Sequence, residues 1–286
     1  MMLFDVSSSR QLIPGTQSQL GESPIWCERS KSLLWVDIKK GKLHRLYPNK
    51  KDHVDTIDIP LLTSAVLLTE KKETFLLVNI KGLYFINYET GETKLYHQFN
   101  FNHKVLRTNE SQVSPSGTLY FSTMDQQANK PIGSIYKFHA KSKLCEEIHS
   151  NLFIPNTMQW FKQDFWFADS GQKVFYQQNL KTKEIKEHPM KYTIDGSALT
   201  KEGILINASW GDSKLVLYDL CNSMKVVGEI KIEPTQPTSC TFTGDSSSIL
   251  YITSAYDDLE TIDISDGMIT KITSQYSGKP TNRFKF

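Results

Sequence analysis

Six oxygen-bearing side chains recur along the chain at intervals of about 40–45 residues: Glu22, Ser64, Asn109, Asn156, Asp195 and Thr238. Four positions after each stands an apolar residue: Trp26, Leu68, Val113, Trp160, Leu199 and Phe242. A fixed long period means one structural unit copied several times. If the copies close into a ring, the equivalent slot of every copy faces one point. Glu22 and Asp195 would bring negative charge there, and Asn109 and Asn156 neutral amide oxygens. These are the donor types of a hard divalent cation, with water completing a coordination shell of roughly six to eight oxygens. Three protein ligands plus water would leave positions open, as a catalytic metal needs. No histidine occupies the slot, which disfavours a site tuned to zinc. Two close carboxylates repel unless a counter-charge is present, and either a cation or Arg107 can supply it.

Other chemistries find little support. The chain has no GxSxG elbow, no HExxH helix and no GxxxxGK[ST] loop. Its histidines, at positions 44, 53, 97, 103, 139, 149 and 188, show no ligand spacing and read as surface residues. His44 and His103 are the two that loops near a channel would carry.

The elements that position the slots are strands. After each slot comes a short apolar strand, a polar turn, a second apolar strand, a polar break and a third. In the first repeat these are Pro24–Cys27, Ser32–Asp37 and Leu43–Tyr47; in the second, Ala65–Leu68, Thr74–Asn79 and Gly82–Tyr88. Short strands separated by Gly, Asp, Asn, Ser and Lys turns indicate antiparallel all-β structure. No amphipathic helix longer than a turn or two is visible, and Lys181–Glu187 lacks an apolar stripe and reads as a hairpin turn. The period matches a four-stranded propeller blade. The expected fold is therefore all-β: a six-bladed β-propeller, one domain over residues 1–286, with a divalent-metal site in the central channel. Val6–Ile13 and the tail after Gly278 are expected to close the ring, because an open blade edge leaves strand groups unpaired. A second register position, at the end of the second strand, holds Asp37, Asn79, Thr123, Asp169, Ala208 and Ser254. These residues read first as strand caps that satisfy loop amides, and otherwise as a layer supporting the slots.

The composition is that of a soluble globular protein: 286 residues, 39% hydrophobic and 22% charged. Thirty-three basic and 31 acidic residues leave a net charge of +2, which gives no electrostatic footprint for nucleic acid or an anionic membrane. No apolar run approaches the roughly 20 residues that span a bilayer. The start, Met1-Met-Leu-Phe-Asp5, lacks a signal-peptide pattern. Cys27, Cys145, Cys221 and Cys240 show no CxxC spacing and read as reduced thiols, Cys240 as packing. These features imply a cytoplasmic protein.

Leu20-Gly-Glu-Ser-Pro-Ile-Trp26 followed by Leu33-Leu-Trp-Val-Asp-Ile38 resembles the opening of the SMP-30/gluconolactonase/luciferin-regenerating-enzyme family, the regucalcin-like proteins. Arg107-Thr-Asn109, Pro115-Ser-Gly117, Phe121-Ser-Thr-Met124, Ile154-Pro-Asn156, Trp166-Phe-Ala-Asp-Ser170 and Ile194-Asp-Gly196 continue the likeness in order over nearly the whole chain. The resemblance implies a six-bladed propeller with one divalent cation, calcium first and zinc, manganese or magnesium as alternatives. It implies Glu22, Asn156 and Asp195 as metal ligands, Asp195 also as the general acid/base, and Arg107, Asn109 and Gln127 as substrate contacts. The chain departs from the family twice. Glu110-Ser111 stands where Asp-Gly is usual, and neutral Gln127 stands where an acid is common. Both departures bear on the substrate more than on the metal.

The expected activity is metal-dependent hydrolysis of a sugar (aldono) lactone, gluconolactonase-like, by a monomer or weak dimer whose partner is the small-molecule lactone. Two other readings predict different behaviour. A non-catalytic calcium-binding propeller acting through a protein partner would show a closed metal site and an exposed apolar patch. A metal-dependent esterase on non-sugar substrates would show an apolar pocket.

Overall fold

The structure, a computed structural model, describes residues 10–243, 248–274 and 276–286. Six four-stranded antiparallel sheets account for the strands, making the chain an all-β, six-bladed β-propeller. Blade 1 comprises Gly21–Cys27, Ser32–Asp37, Lys42–Tyr47 and His53–Asp58. Blade 2 comprises Thr63–Leu68, Thr74–Asn79, Gly82–Asn87 and Thr93–Gln98. Blade 3 comprises Leu106–Val113, Leu119–Asp125, Gly133–His139 and Leu144–Leu152. Blade 4 comprises Pro155–Phe161, Asp164–Asp169, Val174–Asn179 and Ile185–Pro189. Blade 5 comprises Ser197–Leu199, Ile204–Ser209, Lys214–Asp219 and Lys225–Lys231. Blade 6 has Gln236–Phe242, Ile249–Ala255 and Ile269–Thr273, and takes its fourth strand, Arg10–Ile13, from the other end of the chain. Among the described residues the one helical element is a single 3-10 turn, Pro48–Lys50.

Burial orders the strands within each sheet. In blade 2 the first strand is buried throughout, the second almost so, and the fourth is largely open to solvent. The inner pair is rich in β-branched, Leu and aromatic residues, as strands packed on both faces require. The polar fourth strands, such as Thr93–Gln98 and Ile185–Pro189, carry no apolar run, so only three strands per repeat stand out in the sequence. Lys181–Glu187 resolves into a turn followed by one of these outer strands.

Contacts group the chain into two compact units. One, residues 1–56 and 192–281, holds blade 5, blade 6 and most of blade 1. Its cores pack Ile206, Leu217, Phe242 and Ile252 in one cluster and Trp35, Tyr251, Ile13 and Ile269 in another. The other, Ile57–Lys191 with Asn282–Phe286, holds blades 2, 3 and 4. Leu76, Val78, Phe121 and Phe138 form its larger cluster, and Ile135, Phe165 and Phe167 the smaller.

The closing strand came partly as expected. Arg10–Ile13 pairs antiparallel with Ile269–Thr273; positions 6–9 of the predicted segment lie outside the described residues. The tail adds no strand to blade 6. Gly278 makes an isolated bridge to Thr200, and Phe284 makes one to Thr69. Phe284 is fully buried among the side chains of blades 2 and 3. Two isolated bridges and an aromatic anchor seat this tail without a full strand.

Candidate active site

The slot residues sit where the inner strands break register. Pairing shifts between Glu22 and Ile25, Thr63 and Ala65, Thr108 and Ser111, Asn156 and Gln159, and Pro237 and Ser239. An extra residue in one strand of a pair turns a side chain out of the regular alternation. Ser23 and Thr157, with φ of 51° and 50°, take the left-handed conformation that such a bulge uses. In blade 5 Asp195 precedes the short first strand, and its N–H still bonds to Ala208 O at 3.0 Å. Five of the six sequence slots therefore share one backbone device, and the sixth, Asp195, stands just ahead of a regularly paired strand.

In the unit of blades 2 to 4 the polar side chains form a row. Arg107 Nη1 donates to Asn109 Oδ1 at 2.9 Å and to Thr108 O at 3.1 Å. Asn109 Nδ2 donates to Asn156 Oδ1 at 2.9 Å and to Pro155 O at 3.1 Å. Asn156 Nδ2 in turn donates to Ser170 Oγ at 2.9 Å. Each amide is thereby oriented, and Asn156, only 5% exposed, directs its carbonyl oxygen toward Asn109. Ser64 does not join the row; it donates to Thr108 Oγ1 at 2.9 Å and ties two inner strands together. Gln127 stands apart as well, exposed on the loop after Asp125, where it accepts from Asn129 Nδ2 at 3.3 Å.

In the other unit Glu22 and Asp195 share a local arrangement. Ser23 N–H donates to Glu22 Oε2, and Gly196 N–H to Asp195 Oδ1, each at 3.0 Å. Asn207 Nδ2 holds the Asp195 carbonyl at 2.7 Å. Gly196 is required by packing, since a Cβ there would fall 2.2 Å from Ser239 Oγ. Thr238 is fully buried and donates to Gly21 O, so like Ser64 it serves the scaffold.

The second register position caps loops. Asp169 accepts N–H bonds from Phe153 at 2.9 Å, Ile154 at 3.1 Å and Gly171 at 3.0 Å. Asp37 accepts from Gln19 at 2.7 Å, Leu20 at 3.3 Å and Lys40 at 3.2 Å. Asn79 bonds to Leu61 O at 2.9 Å and receives Lys81 N–H at 3.0 Å. In each case the side chain at the end of the second strand pins the segment that leads into the slot, so the capping reading holds for these three.

Sequence reasoning noted Glu110 only as a departure from a motif and gave it no role of its own. It lies beside Asn109 at the blade 3 bulge, and burial pushes its carboxyl up to about 7. Hydrogen bonds from Gln112 and from the Ser111 and Thr157 backbone N–H groups act in the opposite direction. The available signal was the unbroken polar run from Arg107 to Gln112 in an inner strand, where alternation would interleave apolar residues. The histidines contribute nothing to the slot row. His44 stacks on Trp35 with centroids 4.9 Å apart, and burial holds its imidazole down at about 4. All four cysteines are free thiols, and burial raises Cys145 to about 11.

Among the described residues no three of His, Cys, Asp and Glu group together as metal ligands. The slot side chains of one unit are two carboxylates and those of the other two oriented amides; each offers oxygen, the donor type a hard cation takes, and neither offers thiolate or imidazole. Among the described residues no helix is long and apolar enough to cross a membrane.

A propeller whose inner strands begin with Glu, Asn, Asn and Asp at one repeated position defines a class, and comparison with known proteins names it. Residues 20–256 match the family model described as the SMP-30/Gluconolactonase/LRE-like region, and the chain belongs to that family. It is 25% identical over 299 residues to L-arabinolactonase of Azospirillum brasilense, covering 96% of this chain and 94% of the relative. It is 27% identical over 257 residues to regucalcin of Sus scrofa, with 84% of each covered. Among solved structures, the calcium-binding protein regucalcin of Agrobacterium tumefaciens superposes with a TM-score of 0.88 at 22% identity, over 98% of both chains.

Proposed function

We propose that this chain hydrolyses a sugar (aldono) lactone with the help of one divalent cation, calcium first and zinc, manganese or magnesium as alternatives. The observation that supports the reading most is the Arg107–Asn109–Asn156 row at the register where the other unit carries Glu22 and Asp195. Relatives named as lactonases agree with it. Glu22, Asn156 and Asp195 would hold the cation through oxygen. When bound, such an ion polarises the lactone carbonyl and stabilises the charge that develops on its oxygen.

The chain's own residues supply the rest. Asp195 takes a proton from the attacking water as the new C–O bond forms at the carbonyl carbon. When the ring C–O bond breaks, Asp195 returns that proton to the leaving alkoxide, so the product is the open hydroxy acid. Arg107 presents its remaining donors, and Asn109 its side-chain oxygen, to the ring hydroxyls, both already oriented by their mutual hydrogen bond. Gln127 adds a neutral amide at the rim. The protein is proposed to act in the cytoplasm as a monomer or weak dimer, on a small molecule.

The test is proton release from a panel of aldonolactones, using chelator-stripped protein with each metal added back. Activity should return with the ion, and Asp195→Ala should remove it while leaving the melting transition in place. A protein that binds calcium yet turns over no lactone would instead be a non-catalytic binding propeller or an esterase of another class.

A further inference from the structure

The unit that carries Arg107, Asn109 and Gln127 is electrically one-sided at its slot end. Strand pairing defines that end: Leu106 pairs with Asp125, Asn156 with Ala168, and Asn79 with Gly82. The connecting segments there are 59–62, 80–81, 99–105, 126–132, 153–154, 170–173 and 190–191. They contain Lys81, Lys104, Lys130, Lys173 and Lys191, all exposed, and no aspartate or glutamate. The carboxylates that close neighbouring strands are occupied or peripheral. Asp125 and Asp169 are buried and accept loop N–H groups, and Asp58 ends an outermost strand. The opposite end of the same blades mixes signs, with Glu70, Glu73, Glu89, Glu92 and Glu184 among its lysines. The corresponding slot-end segments of the other unit carry acids, among them Asp212, Glu233 and Asp257, alongside Lys39 and Lys40. A chain of nearly balanced charge has therefore cleared acids from one specific set of loops.

Two of these loops adjoin the slot row directly. The loop 99–105 runs into Arg107, and the loop 126–132 follows Asp125. They are joined to each other by Gln126 N–H on Val105 O at 2.8 Å and by the Gln126 side chain on His103 O. The first is joined to 80–81 by Phe99 N–H on Lys81 O at 2.9 Å. The loops are thus a connected ledge and not independent flaps. Lys104 and Lys130 are its charged side chains nearest Arg107 in the strand register. Exposed lysines are individually weak, but several on linked loops that carry no acid raise the local concentration of an anion.

We propose that the lactone this chain hydrolyses carries an anionic substituent, a carboxylate, sulfonate or phosphate, received by Lys104 and Lys130 on the loops beside Asn109. The proposal rests on the lactonase reading and refines its substrate class. The neutral amides of Gln126, Gln127 and Asn129 fit the same ledge, since they can donate to an anion without repelling it.

The test compares kcat/KM for glucono-1,5-lactone with that for its 6-phosphate, 6-sulfonate and 6-carboxylate analogues. The wild-type protein should favour at least one anionic lactone by tenfold or more. The ratio should collapse at 0.5 M salt and in the K104E/K130E double variant, chiefly through KM. K141E/K143E, on loops at the opposite end, should leave the ratio where it was. Equal use of neutral and anionic lactones, or a preference that survives K104E/K130E, would overturn the proposal. If no lactone is hydrolysed, calorimetric binding of the ring-opened 6-phosphate separates the two claims. Binding lost in K104E/K130E keeps the anion site and retires the lactonase reading, and no binding retires both.

Discussion

Asn109 donates its side-chain amide to Asn156 Oδ1 at 2.9 Å, joining the inner strands of blades 3 and 4 at their bulges. The bond fixes which atom of each amide faces which way. Arg107 donates to Asn109 Oδ1, so Asn109 must present its NH2 to Asn156, and Asn156 must then present oxygen. An arginine thereby sets the orientation of an amide two steps away. Asn156 gives its own NH2 to Ser170, which leaves its oxygen to Asn109 and, under the proposed function, to the cation.

Asn109→Ala should therefore cost more than one substrate contact. Loss of a single oriented hydrogen bond is worth about 1–2 kcal/mol, roughly 5–30-fold in kcat/KM. Asn109→Asp should be worse than alanine, because it sets a carboxylate oxygen against Asn156 Oδ1 with no proton between them. Calcium affinity measured by calorimetry should fall in the same order. Equal effects of the two substitutions would mean that the amide pair is not what orients Asn156.

Asp169→Ala should destabilise the fold more than any slot substitution. Its carboxylate is fully buried and receives the Phe153, Ile154 and Gly171 N–H groups and the Gln172 side chain. Removing it strands several donors, at a cost of about 2–4 kcal/mol in urea unfolding. Asp169→Asn keeps one acceptor and should recover part of the loss. Asp37→Ala should behave alike in blade 1, since the capping geometry repeats.

How much of this was legible follows from what kind of regularity each feature is. The propeller was legible because period and strand grammar repeat, and Glu22, Asn109, Asn156 and Asp195 because one register position repeats with them. The capping role of Asp37 and Asp169 was legible too, as a strand-end carboxylate before a loop. What the sequence hid is tertiary. Ser64 and Thr238 share the slot register, yet their short hydroxyl side chains end on Thr108 and Gly21, which only packing decides. Glu110 looked like a substitution in a motif, and its importance comes from the half-buried place beside the bulge that raises its carboxyl. The seat of Phe284 depends on a cleft assembled from blades far away in sequence.

That seat gives a prediction of its own. Phe284 is 0% exposed, and its ring lies 6.3 Å from that of Phe138 and 5.8 Å from that of Phe286. Its backbone N–H bonds to Leu68 O at 2.8 Å, and Asn282 Nδ2 bonds to Val113 O at 2.8 Å. Phe284→Ala should cost about 3–5 kcal/mol, as for a buried aromatic emptied to a cavity, and Phe284→Leu clearly less. Denaturant midpoints at unchanged slope are the measurement. A tail that merely rests on the surface would show neither difference.

Glu110 should make the metal-stripped protein less stable as pH rises through neutrality. Burial raises its carboxyl from an ordinary 4.5 to about 7 in the folded chain, so between those values the folded state binds the proton that the unfolded state has released. Stability therefore falls with pH across this window. It is unaffected below it, where both states are protonated, and carries the full cost above it, where both are ionised. The span corresponds to about 3 kcal/mol at most, since each pKa unit is worth about 1.4 kcal/mol. Glu110→Gln places a neutral amide where the proton is otherwise needed, and should flatten the pH 5–8 stability profile measured in chelator. Its advantage over wild type should be largest near pH 8 and absent near pH 4. An unchanged slope in Glu110→Gln would show that the carboxylate meets more solvent or counter-charge than its surroundings indicate.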